Sequence, residues 1–108
     1  MSERGDNTTD VLAELVAQAV TCGADSLEVE YADGCEEVCA MKGEYGFGIA
    51  MLPSGSEEAT ALRDELHAIG KRGKTIGTPA GDFRVTVSRH ESFGETAYRV
   101  RIQARPGE

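Results

Sequence analysis

Three cysteines, Cys22, Cys35 and Cys39, and two histidines, His67 and His90, are the side chains in this 108-residue sequence best suited to nucleophilic or metal chemistry. Their spacing gives no recognisable pairing of a nucleophile with a base. Cys35 and Cys39 stand four apart in a segment that reads as a strand, hence on one face but about 13 Å apart, too far to share a zinc ion without a bulge. Each cysteine is expected to pack as a small apolar residue. His67 falls beside Arg63 and Lys71 on the polar side of a helix and reads as exposed and idle. His90 precedes Gly94 in what reads as a loop, where it is either solvated or in reach of a ligand. The run Gly43-Glu44-Tyr45-Gly46-Phe47-Gly48 lacks both the Lys-Ser/Thr ending and the strand-then-helix setting of a phosphate loop. The carboxylate pairs Glu28/Glu30 and Glu36/Glu37 fall on strands and read as solvated faces. No catalytic constellation, metal site or cofactor is expected.

Arg84 and Arg99 are more informative. If the segments that carry them form a hairpin turning over His90–Phe93, the two arginines stand directly opposite each other on the outer side of a sheet. Like charges in that position destabilise a strand pair. Either Glu28 or Glu30 from another strand neutralises them, or they form a fork that receives an anion. The overall balance is eleven basic against nineteen acidic residues, a net charge of −8, the wrong sign for a nucleic-acid partner. The charge is uneven: residues 1–60 hold two basic and thirteen acidic residues, and residues 61–108 hold nine and six. The halves either complement each other within one fold or leave a basic patch open to an acidic ligand.

These residues need elements to position them, and hydrophobic periodicity supplies eight. Val11, Leu12, Leu15, Val16, Ala19 and Val20 make a helical stripe over Thr9–Cys22, capped by Thr8 or Thr9 and ended by Gly23. The period then drops to two: Leu27, Val29 and Tyr31 form a strand, Asp33-Gly34 turns it, and Cys35–Met41 returns. Tyr45, Phe47, Ile49 and Met51 give a third strand with one bulky face and one bare face of Gly46, Gly48 and Ala50, which a helix is expected to cover. Ser54-Gly55-Ser56-Glu57 reads as a capping box opening a second helix with Ala59, Leu62, Leu66 and Ile69 as its stripe. Strands over Lys74–Thr78, Phe83–Val87 and Tyr98–Ile102 complete the chain. The order α-β-β-β-α-β-β-β predicts one α+β domain over 9–103, an antiparallel sheet of about six strands with two helices on one face, between flexible segments 1–8 and 104–108.

No apolar run approaches the roughly 18–20 residues that span a bilayer, so membrane insertion is not expected. Met1–Asp6 is not a basic region leading into an apolar one, and an odd cysteine count argues for a reducing compartment, so the expected location is the cytoplasm. A monomer or weak dimer without disulfides is expected.

The stretch Gly23-Ala24-Asp25-Ser26-Leu27-Glu28-Val29-Glu30, then Asp33-Gly34, then Val38 through Lys42-Gly43, resembles the segment just before the motor of type II secretion and type IV pilus ATPases. Phe83-Arg84-Val85-Thr86-Val87, followed by Gly94-Glu95 and Tyr98-Arg99-Val100, is similar to a later pattern of the same family. The resemblance covers about residues 10–103; the family's phosphate loop and acidic metal-binding boxes are not in this sequence. It implies a PAS-like domain without catalysis of its own, acting as an interaction or regulatory module for a protein partner such as a secretion or pilus ATPase motor. It also implies that Arg84 and Arg99 contact nucleotide phosphates. A PAS-like sheet carries an alternative function, sensing a small molecule, for which a cavity lined by Tyr45, Phe47 and Tyr98 is the expected sign.

Overall fold

Both helices owe their position to one apolar stripe each. The structure, a computed structural model, describes residues 11–92 and 94–104; the cap expected at Thr8 or Thr9, the expected flexible segment 1–8 and, apart from Ala104, the expected flexible segment 104–108 lie outside them. Helix α1, Val11–Thr21, buries Val11, Leu12, Leu15, Val16 and Ala19. It ends at Gly23, whose φ of 82° lets its N–H reach the Val20 carbonyl and the Ala24 N–H reach that of Ala19. Helix α2, Glu57–Ile69, buries Ala59, Leu62, Leu66 and Ile69 and runs through Gly70 into a single 3-10 turn, Gly70–Arg72.

Six strands follow the expected order: β1 Ser26–Ala32, β2 Cys35–Lys42, β3 Tyr45–Pro53, β4 Lys74–Thr78, β5 Gly81–Ser92 and β6 Glu95–Ala104. They form one sheet in the order β3-β2-β1-β6-β5-β4 with every neighbouring pair antiparallel. The fold is the predicted α+β arrangement of a six-stranded antiparallel sheet and two helices. Asp33 and Gly34, at φ 51° and 82°, supply the two left-handed positions that a tight hairpin between β1 and β2 requires. The core lies between the helices and one face of the sheet, where Leu12, Val16, Leu27, Val29, Val38, Leu62, Leu66, Val85 and Val100 are fully or almost fully buried. Each such side chain contributes roughly 1.5–3 kcal/mol relative to exposure. Among the described residues, the other face of the sheet carries no helix.

Several expectations are corrected. The β5–β6 hairpin is longer than its alternation suggested: His90, Glu91 and Ser92 belong to β5, and Ala104, expected in the tail, closes β6 opposite Phe83. Moving the turn to the Ser92–Glu95 pair slides the register by four residues, so Arg84 opposes Gln103 and Arg99 opposes Ser88. In β3, a bulge at Ile49 breaks the alternation: Ala50 pairs with Val38, but Gly48 pairs with the next β2 residue, Cys39. Tyr45, Phe47, Ala50 and Leu52 therefore share the helix side, and Gly46, Gly48 and Met51 the helix-free side. Among the described residues, no helix covers Gly48, where an added Cβ would meet nothing within 4 Å.

Ser56, not Ser54, caps α2, its hydroxyl accepting from the Ala59 N–H at 3.1 Å; no glutamate returns the bond. Ser54 instead donates to Glu36, 3.2 Å away. Glu36 itself was expected on a solvated face but is only 2% exposed, on the helix side of β2. Arg63 of α2, expected on the polar side of the helix, reaches its carboxylate at 3.0 Å. A buried carboxylate needs such a partner, and a serine and an arginine together satisfy it.

Candidate functional site

Alternation along β1, β2, β5 and β6 presents charged residues on the helix-free face: only acids on β1 and β2, and three arginines together with Asp82 and Glu95 on β5 and β6. Glu28 and Glu30 project there from β1 and Glu37 from β2, with Glu30 directly opposite Glu37. Arg99 and Arg101 project there from β6, opposite Glu28 and Ser26 of β1, and Arg84 from β5. The seam between the halves is the Arg99–Glu28 ion pair. One of the two alternatives for the arginines is thus settled for Arg99: a carboxylate from a neighbouring strand engages it.

Arg84 and Arg99 are not brought together. They stand four positions apart along the β5–β6 ladder, about 13 Å. Arg84 donates through Nη2 to the Arg72 carbonyl at 2.6 Å, tying β5 to the turn after α2. This bond also explains the close fit at Gly73, where φ is 88° and an added Cβ would come within 3.0 Å of the Arg84 guanidinium.

Arg99 is instead grouped with Arg101, two residues further along β6, and with Lys71 from the 3-10 turn. Together they border an open groove of about 760 Å³ that also takes in Ser26, Thr86 and Ser88. Asp25 also lines it; three cations and three hydroxyls against that one carboxylate suit carboxylate or phosphate oxygens. Arg101 was visible in the alternation of β6. Lys71 was not, because only the turn after α2 carries it to the edge of β5.

The remaining candidates are dispersed. His67 is exposed, with Arg89 Nη1 3.5 Å from its Nδ1, and His90 is an exposed strand residue opposite Ala97. Cys22 is exposed, while Cys35 and Cys39 are half-buried on the helix-free side of β2. Burial pushes the Cys39 thiol pKa up, and the negative charges of Glu37, Glu30 and Glu28 push it the same way. Among the described residues, no three His, Cys, Asp or Glu side chains gather as a metal site would require. No described helix is long and apolar enough to cross a membrane.

Tyr45, Phe47 and Tyr98 do not line one cavity. Tyr98 is packed in the core at 5% exposure, whereas Tyr45 and Phe47 are 81% and 43% exposed on β3. Three inter-strand spacings, about 14 Å, separate β3 from β6. No protein-family model matches the sequence, and no curated protein matches it.

Proposed function

We propose that this chain is a non-catalytic interaction or regulatory domain that docks a protein partner on the helix-free face of its sheet. The observation that carries this reading is the sorting of charge on that face, with acids on β1 and β2, and Arg99 and Arg101 with Lys71 beside a groove. The basic half takes carboxylate or phosphate groups of the partner, with an affinity that falls as salt rises. The exposed apolar side chains of β3 and the core position of Tyr98 favour this reading over small-molecule sensing. The resemblance to the pre-motor domain of secretion and pilus ATPases names the partner to try first, the motor domain, and a cytoplasmic monomer or weak dimer as the working form.

The test is an amide-shift titration with a purified motor domain of either system, with inorganic phosphate run in parallel. Salt-sensitive shifts at Thr86, Ser88, Arg99 and Arg101 that disappear in Arg99→Ala/Arg101→Ala support the proposal. Unmoved amides there, with core amides such as Val29 and Val100 responding to a small apolar ligand, would establish the sensor instead.

A further inference from the structure

The two edges of the sheet are built differently. β4 is five residues long, begins with Lys74 and is followed at once by Pro79, features that discourage another strand from adding. β3 is nine residues long, contains no charged residue, and has no proline before its last position. Among the described residues, nothing pairs with its outer edge. Tyr45, Phe47 and Met51 are exposed along it, and the space over Gly48 is open. A long, uncharged, apolar edge of this kind is a template for strand addition.

Charge decides what adds. Next to β3 on the helix-free face, Glu37 stands beside Met51 and directly opposite Glu30, so two carboxylates face each other across β1 and β2. Like charges so placed repel. Glu28 lies on the same face opposite Cys39, whose thiol feels all three carboxylates. Glu44 in the β2–β3 turn and Glu57 and Glu58 at the start of α2 place further acids at the two ends of β3. A second copy would set this acidic half against itself. Residues 1–10 of the chain hold three acids, one arginine and one large apolar side chain, Met1, and complement the edge no better.

We infer that β3 accepts an extended segment of another protein, with alternating apolar and Lys or Arg side chains, as a seventh strand of the sheet. Its apolar side chains lie beside Tyr45 and Phe47 on the helix side. Its cations lie on the helix-free side, two strand spacings or about 9.6 Å from Glu37, a gap that an extended lysine or arginine and the glutamate side chain span together alongside Met51, with Glu30 one strand further on adding to the acidic field. This site is separate from the Arg99–Arg101 groove and extends the interaction reading to a second surface.

The test uses synthetic peptides of about ten residues, the length that matches β3. One alternates valine and lysine, a second alternates valine and glutamate, and a third has the first composition interrupted by a central proline. The Val/Lys peptide is expected to shift and protect the amides of Tyr45–Met51, and to bind about tenfold more tightly than either other peptide. Phe47→Lys/Met51→Lys, at exposed positions that leave the fold intact, and Glu30→Gln/Glu37→Gln should each weaken it. Equal binding of the three peptides, shifts confined to β5 and β6, or self-association through β3 in place of peptide binding would overturn the inference. Motor-domain binding that survives Phe47→Lys/Met51→Lys, with no peptide bound, would remove the β3 site and leave the groove reading intact.

Discussion

On the face that no described helix covers, β1 and β2 show Glu28, Glu30 and Glu37, while β5 and β6 show Arg84, Arg99 and Arg101 with Asp82 and Glu95 among them. The two halves also finish differently, the acidic one at a long, uncharged β3 and the basic one at a short β4 with Lys74 beside Glu65 of α2. Each half handles its charge by different means. Arg84 is held by a backbone carbonyl and Arg99 by Glu28. Glu36 is neutralised through the sheet's other face by Arg63, whereas Glu30 and Glu37 are left facing each other. Glu36 and Arg63 are paired within the fold, whereas Glu30 and Glu37, which face each other, and Arg101, which faces Ser26 and Thr86, have no opposite charge directly across from them and are the more available to a partner.

The largest expected effect tests the internal pairing. Arg63→Ala strips the guanidinium from a carboxylate that is 2% exposed. Breaking a fully buried pair costs about 3–5 kcal/mol; because Arg63 is itself 43% exposed, a loss of about 2–3 kcal/mol is expected in urea unfolding. A loss no larger than that of an ordinary surface substitution would mean that Glu36 finds other partners.

Within the basic half, Arg84→Ala should cost about 1 kcal/mol by releasing the Arg72 carbonyl, an exposed but charge-assisted bond. Glu28→Gln should cost less, about 0.2–1 kcal/mol, as expected for a partly exposed pair, while freeing Arg99 for phosphate. Chemical denaturation and a phosphate titration of the same two variants measure both. Equal phosphate affinity in Glu28→Gln and wild type would show that the Glu28 pair does not restrain the groove.

The acidic half has a pH signature. With the Cys39 pKa raised by burial and by Glu37, Glu30 and Glu28, less thiolate is present at mildly alkaline pH. Cys39 should therefore alkylate more slowly than exposed Cys22, with its reactivity rising at higher pH, and Glu37→Gln should narrow the gap. The linked stability has a definite sign. Above the unfolded-state pKa the unfolded chain releases the thiol proton before the folded one does, so this group's contribution to stability declines as pH rises through that window. Identical rates for Cys22 and Cys39 would contradict it.

Smallest in free energy is the contrast between two glycines of the β3 edge. Gly48→Val has open space and improved strand propensity, so stability should be unchanged or higher by up to about 1 kcal/mol. Gly46→Val meets the Met41 side chain and should be the less favourable of the two. Thermal melts of the pair rank them directly.

Periodicity and turn chemistry determined most of the fold, because both are local. The stripes of α1 and α2, the Asp33-Gly34 hairpin and the alternation of Leu27, Val29, Val100 and Ile102 each follow from residues a few positions apart. What sequence reading missed depended on register and on contacts between distant segments. Alternation along β5 and β6 shows which side each arginine faces but not where the turn falls, and a shift of two residues in that turn separated Arg84 from Arg99 by the length of four residues. A single extra residue at Ile49 moved Ala50 to the helix side, since each step along a strand reverses the side chain. Glu36 resembled a solvated acid until α2 brought Arg63 over it. Only part of the groove had a local signature: Arg99 and Arg101 follow from the alternation of one strand, but Ser26 comes from another and Lys71 from a turn whose position only the packing of α2 against the sheet could decide.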